Sequence, residues 1–379
     1  MVSCIPFSFV RSTEGIPRTV RFLRRRTPNS CPRVLVFRHA SELGGMGRAA
    51  DFFTPLLERQ CRVVAVVTLS ADRAGSDRFE ASWTAKVRAT AAVLGRCASL
   101  LSVRSPDAIY LPISQWGLPL ARDVLVITLA RVTGCTPVLH LHGAQLPARL
   151  AASGVLRTAL AGAHWIVLSD TVATELRTSR CRARSVTVVR NPAPAAGTLG
   201  RGPARPRALR IGWLGTRCRA KGFDVLCRAV GRLKDRGVDV QFSAAGMRLD
   251  VPDAHMSSVD EDLGVLAPGR ASSFWSRTDV FVLPSRWAEG LPFVIIEALQ
   301  AGCAVAATPS PGSAELFGRG CVERIESTTD SVTAFLENCV ADLQSIRRRQ
   351  QRAWEELRPI YAPQRVEESF VGFWRDTSF

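Results

Sequence analysis

Two glutamates lie eight residues apart in a segment whose neighbours predict a strand, a loop and a helix. Glu289 follows the apolar run 279–283, which is typical of a buried strand, and Glu297 lies in an apolar run that ends at Gly302. In open α/β sheets, ligands bind in the crevice at the carboxyl ends of the strands, and the first amides of a following helix attract phosphate. The segment therefore predicts two acceptors for sugar or ribose hydroxyls, with a seat for a diphosphate between them.

The residue pattern of this segment resembles that of a known family. The preceding strand, the E-x7-E spacing, the Gly-Leu-Pro turn from Gly290 and the Glu-Ala-Leu-x-x-Gly run at 297–302 are similar to those of retaining, nucleotide-sugar-dependent glycosyltransferases of family 4. Two glutamates at this spacing also arise by chance, but inside a strand–loop–helix unit the pattern is much more specific. The resemblance implies the GT-B architecture, in which two Rossmann-like domains face a central cleft.

The resemblance also implies a role for each residue of the segment. Glu289 would face the hydroxyls of the sugar ring near the reacting carbon, and Glu297 would bind the ribose. The backbone of the segment would hold the diphosphate, chiefly through the amides of the first two helical residues. The predicted donor-binding residues here are Gly290, Leu291, Phe293, Val294 and Glu297.

A second loop, from Gly215 to Gly222, follows a predicted strand and precedes a predicted helix. Lys221 matches the lysine of the family's donor-diphosphate loop, where an ammonium would stabilise the leaving diphosphate. The family often places arginine directly after the first glycine, whereas this chain has Thr216 there, so we expect Arg217 to supply the second cation. The alternative is an ordinary turn between strand and helix with surface cations.

The first half of the chain offers fewer matches. The glycine-rich run at Gly44, Gly45 and Met46 follows the first predicted strand and would close over the donor, because glycine lets backbone amides approach a ligand closely. His142 ends a later strand and resembles the family histidine that touches the donor sugar, whereas His140 is interpreted as a core histidine. Gly246, after another strand, is expected near the nucleotide base, although tight packing explains this glycine equally well.

Strands and helices alternate throughout, which is typical of doubly wound parallel sheets. The predicted organisation is a basic extension over 1–31, an acceptor-side domain over 32–192, a linker over 193–207, a donor-binding domain over 208–362 and a helix over 363–379 that crosses back. The predicted strands are 33–38, 62–69, 108–111, 137–142, 165–169, 185–189, 209–214, 238–244, 280–283 and 304–307.

Charge is unevenly distributed. The net charge is +17, and residues 1–200 hold 26 Lys+Arg against 11 Asp+Glu, which is +15. The excess indicates either codon usage or an anionic surface, such as lipid headgroups or a lipid-phosphate acceptor. The 11 cysteines include no C-x-x-C pair and indicate reduced thiols in a cytosolic protein. We predict no metal site, and Asp260-Glu261-Asp262 is interpreted as a solvated loop.

The resemblance thus implies a hexosyl- or N-acetylhexosaminyl-type transferase that needs no obligatory cofactor. Its donor would be a nucleoside-diphosphate sugar and its acceptor a glycan or a lipid-linked sugar of bacterial surface polysaccharide or glycolipid synthesis. We expect a cytoplasmic protein that can bind the inner leaflet peripherally. A nucleotide-sugar epimerase of the same fold is the first alternative. A basic nucleic-acid-binding protein is the second, although no recognised nucleic-acid module is present.

Overall fold

A computed structural model describes residues 31–39, 44–69, 83–194, 208–267 and 269–379. These residues form two parallel six-stranded sheets flanked by helices. The strands of the first sheet are β1 Arg33–Arg38, β2 Arg62–Thr68, β3 Ala108–Pro112, β4 Thr136–Leu141, β5 His164–Val167 and β6 Ser185–Val188. Those of the second are β7 Leu209–Leu214, β8 Val240–Ala245, β9 Glu261–Asp262, β10 Val280–Leu283, β11 Ala304–Ala307 and β12 Glu323–Arg324.

The helices connect the strands and cover both faces of each sheet. In the first half they are α1 Gly45–Gln60, α2 Trp83–Arg104, α3 Gly117–Val132, α4 Leu146–Ala152, α5 Gly154–Leu160 and α6 Asp170–Thr178. In the second half they are α7 Phe223–Asp235, α8 Asp253–Met256, α9 Ala271–Ser276, α10 Phe293–Gln300, α11 Ala314–Gly318, α12 Thr329–Leu357 and α13 Pro363–Asp376. The chain is therefore an α/β protein with two doubly wound sheets.

Strand order identifies where each sheet can bind a ligand. The first sheet is ordered β2-β1-β3-β4-β5-β6 and the second β12-β11-β10-β7-β8-β9, with every pair parallel. The order reverses between β1 and β3 in one sheet and between β7 and β10 in the other. Loops that leave neighbouring strands in opposite directions open a crevice at such a point. In the second sheet, the loops that follow β7 and β10 therefore flank the expected ligand site.

The last helix returns to the first sheet. In α13, the apolar face of Val366, Phe370, Phe373 and Trp374 is buried in one cluster with residues of α1, including Phe53. Phe370 is fully buried, and its ring centroid lies 4.8 Å from that of Phe53. Burial of such large aromatic side chains is worth several kcal/mol in a core. Phe370, Phe373 and Trp374 therefore form most of the packing face of α13.

Each of the ten predicted strands is present within two residues of its predicted ends. Residues 146–160 form two helices, α4 and α5, because Ser153 is extended and its hydroxyl accepts from Leu156 N to begin α5. The two-residue strands β9 and β12 were not predicted, because two residues are too few to show a strand period.

The interpretation of residues 260–262 as a solvated loop is wrong for Glu261 and Asp262. Both belong to β9 at the edge of the second sheet, and Asp262 pairs with Arg217. Both residues are polar and the strand is only two residues long, so no apolar period marks it in the sequence.

The predicted extension over 1–31 and the predicted linker over 193–207 lie, except for Cys31, Ala193 and Pro194, outside the described residues. Within the described part of the chain, no helix is long and apolar enough to cross a membrane.

Candidate functional site: the cleft between the two sheets

Lys221 and Glu289 meet at the reversal point of the second sheet. Lys221 lies in the loop after β7 and Glu289 in the loop after β10, and Lys221 Nζ lies 3.0 Å from Glu289 Oε1. The hydroxyl of Ser285 donates to the same carboxylate oxygen at 3.0 Å. Both charged side chains remain partly exposed. The structure thus brings together the two residues that the sequence predicted for leaving-group and sugar contacts.

Backbone packing fixes this pair. Gly222 has a φ of 76°, and a Cβ at this position would lie 1.9 Å from the carbonyl oxygen of Pro284. Only glycine fits both the left-handed conformation and the close approach. The two loops also share hydrogen bonds, since Arg286 N donates to the Ala220 carbonyl and the Arg286 guanidinium forks onto Asp224 at 2.7 and 3.0 Å. Asp224 begins α7, and contact with Arg286 and Arg228 holds the pKa of its carboxyl below the ordinary value despite burial.

Helix α10 starts four residues after Glu289. Its N-cap is Pro292, and no side chain caps the helix. The amides of Phe293 and Val294 therefore lie at a helix N-terminus, where partial positive charge favours an anion. The 8-residue helix carries Glu297 on its second turn. A diphosphate between Lys221 and these amides would meet positive potential from both sides.

Glu297 is a buried carboxylate. Only 2% of the residue is exposed, and Trp275 Nε1 donates to its Oε2 at 3.0 Å. Its other oxygen pairs with the guanidinium of Arg48 from the first half. Burial raises the pKa of Glu297, while Arg48 and the Trp275 hydrogen bond oppose this shift. Arg48, on the opposite side of the cleft, thus partly offsets the effect of burial on the Glu297 carboxyl.

Residues predicted from both halves lie on one cleft. A Cβ at Gly290 would lie 1.9 Å from the carbonyl oxygen of His142, and a Cβ at Gly45 would lie 3.7 Å from the ring of Phe293. Asn191, at the end of the first half, donates to the carbonyl of Leu291 at 2.6 Å. The loop that carries Glu289 therefore packs directly against the strand ends of the first sheet.

His142 and Met46 border the same small cavity, together with Tyr110 and His39. The His142 ring lies over that of His140, with centroids 4.0 Å apart. Burial and the neighbouring His39 lower the pKa of His142 to about 3. His140 is fully buried and shares a 2.6 Å hydrogen bond with the Tyr110 hydroxyl, which confirms that it is a core residue. At neutral pH, His142 thus offers a neutral imidazole.

Gly215, Arg217 and Gly246 form a packed group beside β8 and β9. A Cβ at Gly246 would lie 1.9 Å from the carbonyl oxygen of Gly215. Arg217 is buried, its Nε donates to the Gly246 carbonyl at 2.9 Å, and it pairs with Asp262 at 2.7 Å. These contacts hold the loop after β7 against the edge of the sheet. A contact between Arg217 and a diphosphate stays a prediction.

Three partners in the cleft were not identified from the sequence: Arg48, Trp275 and Asp262. Arg48 follows the glycine run directly, and that position was the one available signal. Among the described residues, no group of three or more His, Cys, Asp or Glu side chains is placed to hold a metal ion.

The contact between Gly290 and His142 can be tested with an added methyl group. We expect Gly290→Ala to destabilise the protein by about 1–3 kcal/mol, because the methyl group would overlap the His142 carbonyl. Gly231→Ala is the matched control, since that helical glycine has open space around its Cβ and alanine should stabilise it by about 0.4–1 kcal/mol. Chemical denaturation of both variants measures this difference, and equal stabilities would contradict the close contact.

The neutral state of His142 predicts a pH dependence of stability. The pKa of His142 is lower in the folded protein than in the unfolded chain, where it is near 6.5. Its contribution to stability is therefore fully present when the pH is above about 6.5. We expect this contribution to decline as pH falls from 6.5 towards about 3, by at most about 1.4 kcal/mol per pH unit for one proton. Denaturant unfolding between pH 7 and 4.5 should show a smaller slope in His142→Asn. An imidazole NMR signal that titrates near pH 6.5 and vanishes in this variant would refute the prediction.

Comparison with known proteins agrees with this geometry. Residues 205–344 match the family model for glycosyl transferases group 1, a stretch that covers less than half of the chain but includes Lys221, Glu289 and Glu297. No curated protein sequence matches the chain.

Several solved structures share the fold. Sucrose-phosphate synthase from Thermosynechococcus elongatus is 13% identical with a TM-score of 0.69, over 91% of this chain and 98% of that one. Anabaena HepE in complex with UDP and glucose is 15% identical with a TM-score of 0.64, over 92% and 100%. A Listeria monocytogenes protein described as a UDP-N-acetylglucosamine 2-epimerase is 10% identical with a TM-score of 0.57, over 92% and 98%. The chain therefore has the GT-B fold, and its second half carries the match to group 1 glycosyltransferases.

Proposed function

We propose that the protein is a glycosyltransferase that moves a sugar from a nucleoside-diphosphate sugar to a hydroxyl acceptor, with retention of the anomeric configuration. The observation that carries this proposal is the contact between Lys221 and Glu289 at the reversal point of the second sheet, beside the N-terminus of α10. The match to group 1 glycosyltransferases covers both residues.

Lys221 would stabilise the departing diphosphate. Its Nζ now contacts Glu289, and a donor placed between the two loops offers it a second anionic partner. The amides of Phe293 and Val294 would bind the same diphosphate from the helix N-terminus. Fixed charges and dipoles that face the developing negative charge lower the barrier for loss of the leaving group, and they need no strong protein base.

Glu289 and His142 would position the transferred sugar. Glu289 can accept hydrogen bonds from ring hydroxyls, and Ser285 fixes its orientation. The imidazole of His142 is neutral at pH 7, so it would act through hydrogen bonds and shape and not as a cation. A neutral group in this place suits a sugar, whose hydroxyls carry no charge. Correct placement of the reacting groups contributes several kcal/mol to such reactions.

The donor and the acceptor would be bound by different halves of the chain. Two structures of Anabaena HepE hold UDP, and one of them also holds glucose, so a UDP-hexose or UDP-N-acetylhexosamine is the first donor to test. Glu297, beside the N-terminus of α10, would bind the ribose. The acceptor would be a glycan or lipid-linked sugar held by the first half, in bacterial surface polysaccharide or glycolipid synthesis.

A nucleotide-sugar epimerase is the second candidate, favoured by the fold shared with the Listeria protein. The two functions differ in their products. An epimerase converts the donor without an acceptor, whereas the proposed transferase releases nucleoside diphosphate in step with transfer. Proton NMR of donor alone and of donor with an oligosaccharide or polyprenyl-phosphate sugar panel separates them.

Removal of either partner of the charged pair should abolish transfer while the fold survives. We expect Lys221→Ala and Glu289→Gln to lower kcat/KM by about 100- to 1,000-fold, because each removes a stabilising contact at the reacting centre. Lys234→Ala is the matched control. That lysine lies on α7 and pairs with Asp260 at 2.6 Å.

The measurement is product formation from a UDP-sugar panel, with thermal melting to verify folding. Near-normal turnover in the folded Lys221→Ala and Glu289→Gln proteins would exclude this site. Loss of activity in Lys234→Ala as well would indicate a general effect of charge removal.

We further propose peripheral membrane binding through the basic first half. The excess of +15 on residues 1–200 should favour an anionic bilayer by about 1 kcal/mol for each basic side chain near the surface. Sedimentation with phosphatidylglycerol liposomes should recover more protein than sedimentation with phosphatidylcholine liposomes, and 0.5 M salt (roughly a 4 Å Debye length) should remove the difference. Equal recovery with both lipids would reject the electrostatic account.

A further inference from the structure

Arg48 lies at two functional elements of the cleft at once. It is the fourth residue of α1, directly after the glycine run, and its guanidinium pairs with Glu297. The same guanidinium lies over the ring of Phe293, with its central carbon 5.5 Å from the ring centroid. One side chain from the first half therefore contacts both the buried carboxylate of α10 and the first residue of that helix.

The ion pair conflicts with the proposed ribose contact. One oxygen of Glu297 accepts from Trp275, and the other pairs with Arg48. Each oxygen could accept a further hydrogen bond, but only 2% of Glu297 is exposed, so ribose hydroxyls can reach it only if a neighbouring side chain moves, and Arg48 is the exposed neighbour. A neutral ribose brings no positive charge, and a buried carboxylate that loses its cation becomes much less stable.

A diphosphate would give the displaced guanidinium a new anionic partner. Phe293 begins α10, so the guanidinium over its ring already lies at the end of the helix where the donor diphosphate is proposed to bind. The side chain of Arg48 is 40% exposed, which leaves it room to change its rotamer. Arginine binds phosphate oxygens with two parallel hydrogen bonds, and such charge-assisted bonds are roughly twice as strong as neutral ones.

We propose that Arg48 exchanges partners when the donor binds. It pairs with Glu297 before binding and contacts the donor diphosphate once the ribose occupies Glu297, so both halves of the cleft contact the diphosphate. This inference rests on the proposed function. It adds a donor-binding residue from the first half and implies that a nucleoside without phosphates binds poorly, because the nucleoside displaces Arg48 and offers it no new partner.

The exchange predicts opposite effects of one substitution on two ligands. In Arg48→Met, uridine should bind as well as in the wild-type protein or several-fold more tightly, because no ion pair has to be broken. UDP should bind more weakly, because the contact with its diphosphate is lost. We expect the preference for UDP over uridine to fall by about 10- to 100-fold, the range of a charge-assisted hydrogen bond.

Two variants serve as controls. Arg48→Lys retains a cation and should keep most of the preference. Arg59→Gln removes a cation from the same helix, where it pairs with Glu367 at 2.9 Å on the surface, and should leave the preference unchanged. Isothermal titration calorimetry measures UDP, and ligand-observed NMR competition against UDP measures uridine.

The outcomes are distinguishable. If UDP, GDP and ADP all fail to bind the wild-type protein, the proposed function is wrong and this inference falls with it. If GDP or ADP binds in place of UDP, the same comparison uses that diphosphate and its nucleoside. Equal weakening of nucleoside and diphosphate in Arg48→Met would show a merely structural arginine. Tighter binding of both uridine and UDP would show that Arg48 only competes with the nucleotide for Glu297 and never contacts the diphosphate. Unchanged binding of both ligands would also overturn the exchange.

Discussion

The close approach of Gly222 to the carbonyl of Pro284 is the constraint on which the cleft depends. It brings the loops after β7 and β10 into contact at the reversal point of the second sheet. Lys221 precedes this glycine, so its ammonium reaches Glu289. A side chain at position 222 would separate the loops and with them the two charges. The local chemistry therefore depends on a backbone contact that only glycine permits.

A similar contact joins the two halves. Gly290 lies between the His142 carbonyl and Gly312, and a Cβ on either glycine would lie 1.9 Å from a backbone oxygen. Asn191 reinforces this contact through the carbonyl of Leu291. Helix α13 adds an apolar connection, because its aromatic residues are buried against α1. The two halves are thus joined by backbone packing inside the cleft and by aromatic side chains buried between α13 and α1.

The sequence was sufficient for the features that local pattern determines. Ten strands, the alternation that implies parallel sheets and the position of Glu289 after β10 follow from apolar runs and turn residues. The ion pair between Arg48 and Glu297 could not be predicted, since its partners lie on helices that flank different sheets and nothing local links them. The same is true of Trp275 and Asp262, whose partners depend on which strands become neighbours. The contacts that could not be predicted are those between residues distant in sequence, because local periodicity carries no information about them.

The distribution of charge across the cleft has a consequence for domain closure. Glu297 is buried in one half, and the cation that neutralises it comes from the other. Opening the cleft would separate them, and the carboxylate would then need water or a proton, because burial already raises its pKa. In the closed cleft without a ligand, Arg48 and Glu297 therefore balance each other's charge. A ligand that displaces the arginine must give this cation a new anionic partner and give Glu297 new hydrogen-bond donors, and the diphosphate and ribose of a nucleoside diphosphate would supply these two groups. Binding of the nucleotide and contact between the two halves would then depend on the same charged side chain, Arg48.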